Sequence, residues 1–130
     1  MHLRLGFRSS PRLAVLALAL LGACAKGPES ALDSVWKLPE RPRVDGEASP
    51  IVVLTDKRGA PAAGATASFT ADMTHPGMKP LVCPAKETEA GRYEGKWRWT
   101  MAGDWVVVFE ARFPDGRRVE RREPVTVKAR

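Results

Sequence analysis

The stretch Gly91-Arg92-Tyr93-Glu94-Gly95-Lys96-Trp97-Arg98-Trp99-Thr100-Met101-Ala102-Gly103-Asp104-Trp105-Val106-Val107-Val108-Phe109 decides the fold class. Tyr93, Gly95, Trp97, Trp99 and Met101 occupy every second position, and Arg92, Glu94, Lys96, Arg98 and Thr100 fill the positions between. A strand turns successive side chains to opposite faces, so this alternation predicts one apolar and one polar face. Ala102-Gly103-Asp104 reads as a turn, after which Trp105, Val107, Phe109, Ala111 and Phe113 resume the same period.

Working outward, the pattern holds on both sides. Upstream, Ile51-Val52-Val53-Leu54-Thr55 is a β-branched run closed by Asp56-Lys57-Arg58-Gly59. Ala65, Ala67, Phe69, Ala71 and Met73 then share a face, opposed by Thr66, Ser68, Thr70 and Asp72. Downstream, Pro114-Asp115-Gly116 marks a turn, and residues 117–127 return as a last strand or two. About five to seven short strands, each with one apolar face, predict an all-β chain folded as a small immunoglobulin-like β-sandwich. Without a cysteine pair to bridge the sheets, the Trp, Phe and Val faces must supply the core.

The N-terminus is built differently. Arg4, Arg8 and Arg12 precede an apolar run of 11 residues, Leu13 to Ala23, the pattern of a secretory signal. A membrane-spanning helix needs about 20. Leu21-Gly22-Ala23-Cys24 resembles the bacterial lipobox, which implies lipidation at Cys24 and removal of residues 1–23. Two or three acyl chains hold a protein stably on a membrane. Ala25 stands where Asp would mark inner-membrane retention, so the outer membrane is favoured in a Gram-negative envelope. Of the 21 Lys and Arg, 18 remain in a mature chain of 107 residues against 15 Asp and Glu, a net charge of +3. Residues 24–50 read as the lipidated cysteine and a flexible tether, because Pro28, Pro39, Pro42 and Pro50 punctuate a charged segment with few apolar residues. As a coil, residues 25–50 would reach roughly 28 Å root-mean-square. Trp36 is the exception, a large apolar group expected to dock on the domain or the membrane interface. The folded unit is expected over residues 51–130.

That unit resembles the YtkA-like domain, a family of bacterial envelope β-sandwiches. The features that carry the resemblance are Asp56-Lys57-Arg58-Gly59 after an early strand, and a Met/His/Gly segment after the second. To these are added Gly91-Arg92-Tyr93 and then Met101-Ala102-Gly103-Asp104-Trp105. The resemblance implies a context of copper handling and oxidase assembly.

One segment carries donor chemistry of its own: Met73-Thr74-His75-Pro76-Gly77-Met78-Lys79-Pro80-Leu81-Val82-Cys83 places two thioethers, an imidazole and a thiol within 11 residues. Soft sulfur ligands select Cu(I), and imidazole accepts either copper oxidation state. Pro76-Gly77 sets a tight turn that could fold His75 and Met78 together. The candidate metal ligands are therefore His75 and Met78, with Met73, Cys83 or Met101 in support. Each supporting residue also has a packing role open to it. Met73 completes the Phe69–Ala71 face, Met101 is in phase with Trp97 and Trp99, and Cys83 falls on the Leu81 face of a short strand.

Apart from His2, His75 is the only histidine, so a His-rich Cu(II) site or a catalytic zinc site within one chain is excluded. No Gly-rich phosphate loop or paired-carboxylate site stands out, and no orienting acid accompanies Cys83 and His75, so no enzyme activity is expected. Arg112, Arg117, Arg118, Arg121 and Arg122 form a basic hairpin, interleaved with Glu110, Glu120 and Glu123 as expected cross-strand partners. It could face anionic lipid headgroups or an acidic protein; nucleic acid is not expected outside the cytoplasm. Two functions remain open. One is a membrane-anchored envelope accessory protein binding Cu(I) or another soft metal. The other is an immunoglobulin-like interaction or assembly module for an envelope protein partner, without metal.

Overall fold

The computed structural model describes residues 31–130. The expected signal segment and the expected lipidation site, Cys24, lie outside the described residues. Every regular element among those residues is a strand: β1 (Asp33–Lys37), β2 (Glu47–Ala48), β3 (Ile51–Thr55), β4 (Thr66–Met73), β5 (Leu81–Glu89), β6 (Arg92–Glu94), β7 (Trp97–Arg98), β8 (Gly103–Arg112) and β9 (Arg118–Val127). Seven form one antiparallel sheet in the order β1-β3-β6-β5-β4-β8-β9, and β2 pairs with β7 apart from it. The sheet curls into a sandwich, so that β1, β3 and β6 cover β4 and β8. Ring contacts cross the interior: Trp36 of β1 meets Phe69 and Phe109 edge-on at 6.2 Å each, and Tyr93 of β6 lies 5.8 Å from Phe109. The fold class is the expected all-β sandwich.

The alternation that predicts the strands also predicts the core. Ala67, Phe69, Ala71 and Met73 of β4 are buried, as are Trp105, Val107, Phe109 and Ala111 of β8. Burying each large side chain contributes about 1.5–3 kcal/mol. Those two strands run in unbroken register from Thr66↔Arg112 to Met73↔Trp105, which stacks their apolar positions side by side.

Two expectations are corrected here. The segment expected to be a flexible tether up to residue 50 is folded from Leu32 onward. β1 pairs along its whole length with β3, from Asp33↔Thr55 to Lys37↔Ile51. Trp36 docks inward on the domain, and Leu32 is buried. The backbone groups of Val44 and Lys128 join the next part of that segment to the end of β9. Second, the expected continuous strand from Arg92 to Met101 is divided. β6 belongs to the large sheet, whereas β7 pairs with β2 through Glu47↔Arg98 and Ala48↔Trp97. Pro50 explains the break: it has no N–H to offer the ladder, and its carbonyl instead accepts the Gly95 N–H at 3.0 Å.

The block Gly91-Arg92-Tyr93 fastens one end of the sandwich. Gly91 has φ +76°, and a Cβ there would stand 2.7 Å from the Leu54 carbonyl oxygen, so only glycine fits. The buried Tyr93 hydroxyl donates to the Ala62 carbonyl at 3.0 Å and accepts the Ala65 N–H at 3.1 Å, pinning the loop between β3 and β4. Burial pushes the Tyr93 phenol above its ordinary pKa, opposed by the N–H from Ala65. Beside it, the Glu87 carboxylate accepts N–H groups of Gly91 at 3.0 Å and Gly64 at 3.1 Å, and these hold its pKa below the ordinary carboxylate range.

Candidate metal-binding end of the sandwich

The two loops that carry the candidate ligands meet at the end of the sandwich away from Tyr93. The β4–β5 loop, residues 74–80, follows Met73, and the segment from Trp99 to Ala102 leads into β8. Because Met73 pairs with Trp105 across the ladder, the two segments leave the sheet side by side. The Thr74 N–H donates to the Asp104 carbonyl at 3.3 Å and ties them together. His75 is exposed, and the Pro76-Gly77 turn has the left-handed Gly77 (φ +86°) expected of it. Met78 is half-buried and rests against the core.

Met101 is 42% exposed, although it is in phase with Trp97 and Trp99. The strand has ended at Arg98 and the chain bends, so phase no longer fixes orientation. What anchors this bend is the Trp105 indole, whose N–H donates to the Met101 carbonyl at 3.1 Å. Met73 lies beneath, 7% exposed, on the core side of the strand. Its Cε occupies the space of a Cβ at Gly103, 2.8 Å from where that atom would be, and Gly103 has φ +135°. Met73 therefore packs as a core residue under the loops, and His75, Met78 and Met101 are brought to one end above it.

Cys83 is not brought into that group. It is half-buried on β5, opposite Phe69. Its Sγ accepts the Lys96 N–H at 3.4 Å and lies 3.3 Å from the carbonyl oxygens of Pro84 and Lys96. The thiol borders a separate groove of about 430 Å³, shared with Glu47, Lys86 and Lys96. Across that groove Lys96 pairs with Glu47 at 3.3 Å, and this contact first of all lowers the Glu47 pKa. Among the described residues, no three His, Cys, Asp or Glu side chains stand together in a way that could hold a metal ion. A site at the loop end would thus rest on thioethers with the single imidazole, a donor set suited to a soft monovalent ion and poor for zinc or a hard cation. One feature of this end was not legible from the sequence. The indole N–H groups of Trp97 and Trp99 are buried without a hydrogen-bond partner among the described residues, and alternation reports a buried face, not the fate of a ring nitrogen.

The basic hairpin also departs from expectation. Arg112 stands opposite Arg118 and Glu110 opposite Glu120, so the glutamates are not the cross-strand partners of the arginines. The ion pairs run along the chain instead, Arg122 with Glu120 at 2.9 Å and Arg117 with Asp115 at 2.7 Å.

The family model described as YtkA-like matches residues 33–110, more than half of the chain. The chain belongs to the YtkA-like family. The match begins at β1, in agreement with the folded N-terminal boundary and ahead of the expected one at residue 51. No curated protein matches the chain. Among solved structures, the YtkA-like fold is similar to a superoxide reductase (neelaredoxin) from Ignicoccus hospitalis, at 10% identity and TM-score 0.50, covering 73% of this chain and 80% of that one. A PKD domain of an M14-like peptidase from a Thermoplasmatales archaeon aligns at 13% identity and TM-score 0.45, over 73% of this chain and 92% of the other. At such identities the likeness concerns the fold alone.

Proposed function

We propose that this YtkA-like protein is a non-enzymatic accessory of the bacterial envelope, lipid-anchored through Cys24, that holds Cu(I) at the loop end of its sandwich. The observation that carries the proposal is that His75, Met78 and Met101 lie on two adjoining segments tied by the Thr74–Asp104 hydrogen bond. Thioether donors bind Cu(I) with no charge and no proton to displace, which suits uptake and release more than permanent storage. The fold supports a carrier role in a second way. The chain enters the domain at Leu32 and Asp33, beside Thr55, whereas the candidate loops lie at the opposite end. β8 alone, 10 residues long, spans about 33 Å at the usual strand rise. Seven residues separate Cys24 from Leu32, so a lipid anchor would sit at the chain-entry end of the domain and the candidate ligands at its far end, clear of the anchor. In a Gram-negative cell, Ala25 favours the outer membrane for that anchor.

The test is a Cu(I) competition titration under anaerobic, reducing conditions. One equivalent is expected on the parent and on a Cys83-blocked sample, and it should be lost in His75→Ala/Met78→Ala while the domain stays folded, its melt lowered only by the lost packing of half-buried Met78. Parent-like affinity in the double variant would refute the site. A metal-free interaction module is the second reading, favoured by the exposure of Val82 (68%) on the outer face of β5.

A further inference from the structure

The outermost strand of the large sheet, β1, is self-complementary, and we infer that two copies of this chain pair there, edge to edge and antiparallel. The sheet has two edges, β1 and β9. β9 is protected: Pro124 interrupts it, and Glu and Arg crowd its length. β1 reads Asp33-Ser34-Val35-Trp36-Lys37, with no proline, glycine or bulge in its register with β3. Asp33, Val35 and Lys37 point outward, and Val35, 58% exposed, is one of the exposed large apolar side chains among the described residues. Asp33 and Lys37 make no ion pair with any described residue.

A twofold axis through Val35 resolves all three features. It sets Asp33 opposite Lys37 of the second copy, Lys37 opposite the second Asp33, and the two valines against each other. Directly opposed unlike charges favour a strand pair and like charges oppose it, so this register is selected and neighbouring ones are not. The backbone agrees. The Leu32 carbonyl accepts from Arg121 of β9, hence faces away from β3, and alternation turns the polar groups of Ser34 and Trp36 to the same open side. Ser34 of one copy would then exchange N–H···O=C bonds with Trp36 of the other, and the valines would form the closer, non-hydrogen-bonded pair. The inference does not depend on the metal reading. It needs only the edge, and confinement on a membrane would raise the effective concentration of the partner.

Disulfide trapping in the full chain tests it. In a Cys83→Ser background, Val35→Cys places two thiols across the axis at a Cα separation of about 4.5 Å, within disulfide range. Val82→Cys, on an equally open surface, reports random collision, and the background alone reports any contribution from Cys24. Mild oxidation should give a Val35→Cys dimer well above both controls. Asp33→Lys or Lys37→Asp, each opposing like charges twice, should cut its yield by about fivefold or more. The double exchange Asp33→Lys/Lys37→Asp should restore it, which no folding defect would do. A Val35→Cys yield equal to that of Val82→Cys, or a double exchange no better than the single ones, overturns the inference.

Discussion

Replacing Trp36 with Ala tests whether the N-terminal segment is part of the fold. The indole is half-buried and lies edge-on to both Phe69 and Phe109 at 6.2 Å, bridging β1 to the two central strands of the opposite layer. A fully buried Trp→Ala change costs about 3–5 kcal/mol. Half burial scales that to roughly 2–3 kcal/mol, the two edge contacts included. For a unit of this size, each kcal/mol moves the melting temperature by about 4–8 °C, so a fall of about 10–20 °C is expected. Urea unfolding of the parent and variant measures the free energy directly, and Val82→Ala, at a valine 68% exposed on β5, provides the contrast. That side chain faces solvent, and its loss should shift stability by no more than about 0.5 kcal/mol. A Trp36→Ala cost below about 1 kcal/mol, or one equal to that of Val82→Ala, would refute the claim that residues from Leu32 onward belong to the sandwich.

Three further outcomes follow from the packing. Tyr93→Phe leaves the Ala62 carbonyl and the Ala65 N–H without their partner and should cost about 1–3 kcal/mol in urea unfolding, with hydrogen exchange of the β3–β4 loop accelerated. Glu87 has its pKa lowered chiefly by the N–H of Gly91, so its contribution is present above the unfolded value of about 4.3 and is lost as pH falls through the folded value; Glu87→Gln should flatten that part of the acid stability profile. Gly103→Ala forces a Cβ against the Met73 methyl at a left-handed φ, and should lower stability by about 1–3 kcal/mol, with Met73→Ala in the same chain recovering only the steric part.

The strands of the central sheet were legible because a period of two survives any tertiary context: β4 and β8 bury every second residue from Ala67 to Met73 and from Trp105 to Ala111. β1 was not. Its segment has one large inward side chain, Trp36, and is followed by Pro39 and Pro42, so composition points to a tether. Only pairing with β3, a contact remote in sequence, makes it a strand. The division between β6 and β7 was hidden for a related reason, since the alternation continues through Gly95 while the hydrogen-bonding partner changes.

The candidate site divides along the same line. The Pro76-Gly77 turn and its flanking His75 and Met78 are local features, and the structure keeps them as a loop. Met101 and Cys83 depended on where neighbouring chain goes. The bend after Arg98 exposes one, and the Lys96 backbone takes up the other. The block Met101-Ala102-Gly103-Asp104-Trp105 has a structural account in nearly every position. Gly103 makes room for Met73, Trp105 clasps the Met101 carbonyl, and Asp104 supplies the carbonyl that ties down Thr74. Its recurrence in a sequence therefore reports how the loop end is built before it reports what binds there. His75 is different: it is exposed, makes no side-chain hydrogen bond among the described residues, and supports no packing. Selection on stability gives no reason for an imidazole at that position, so the metal reading stands or falls on His75 more than on any of the methionines.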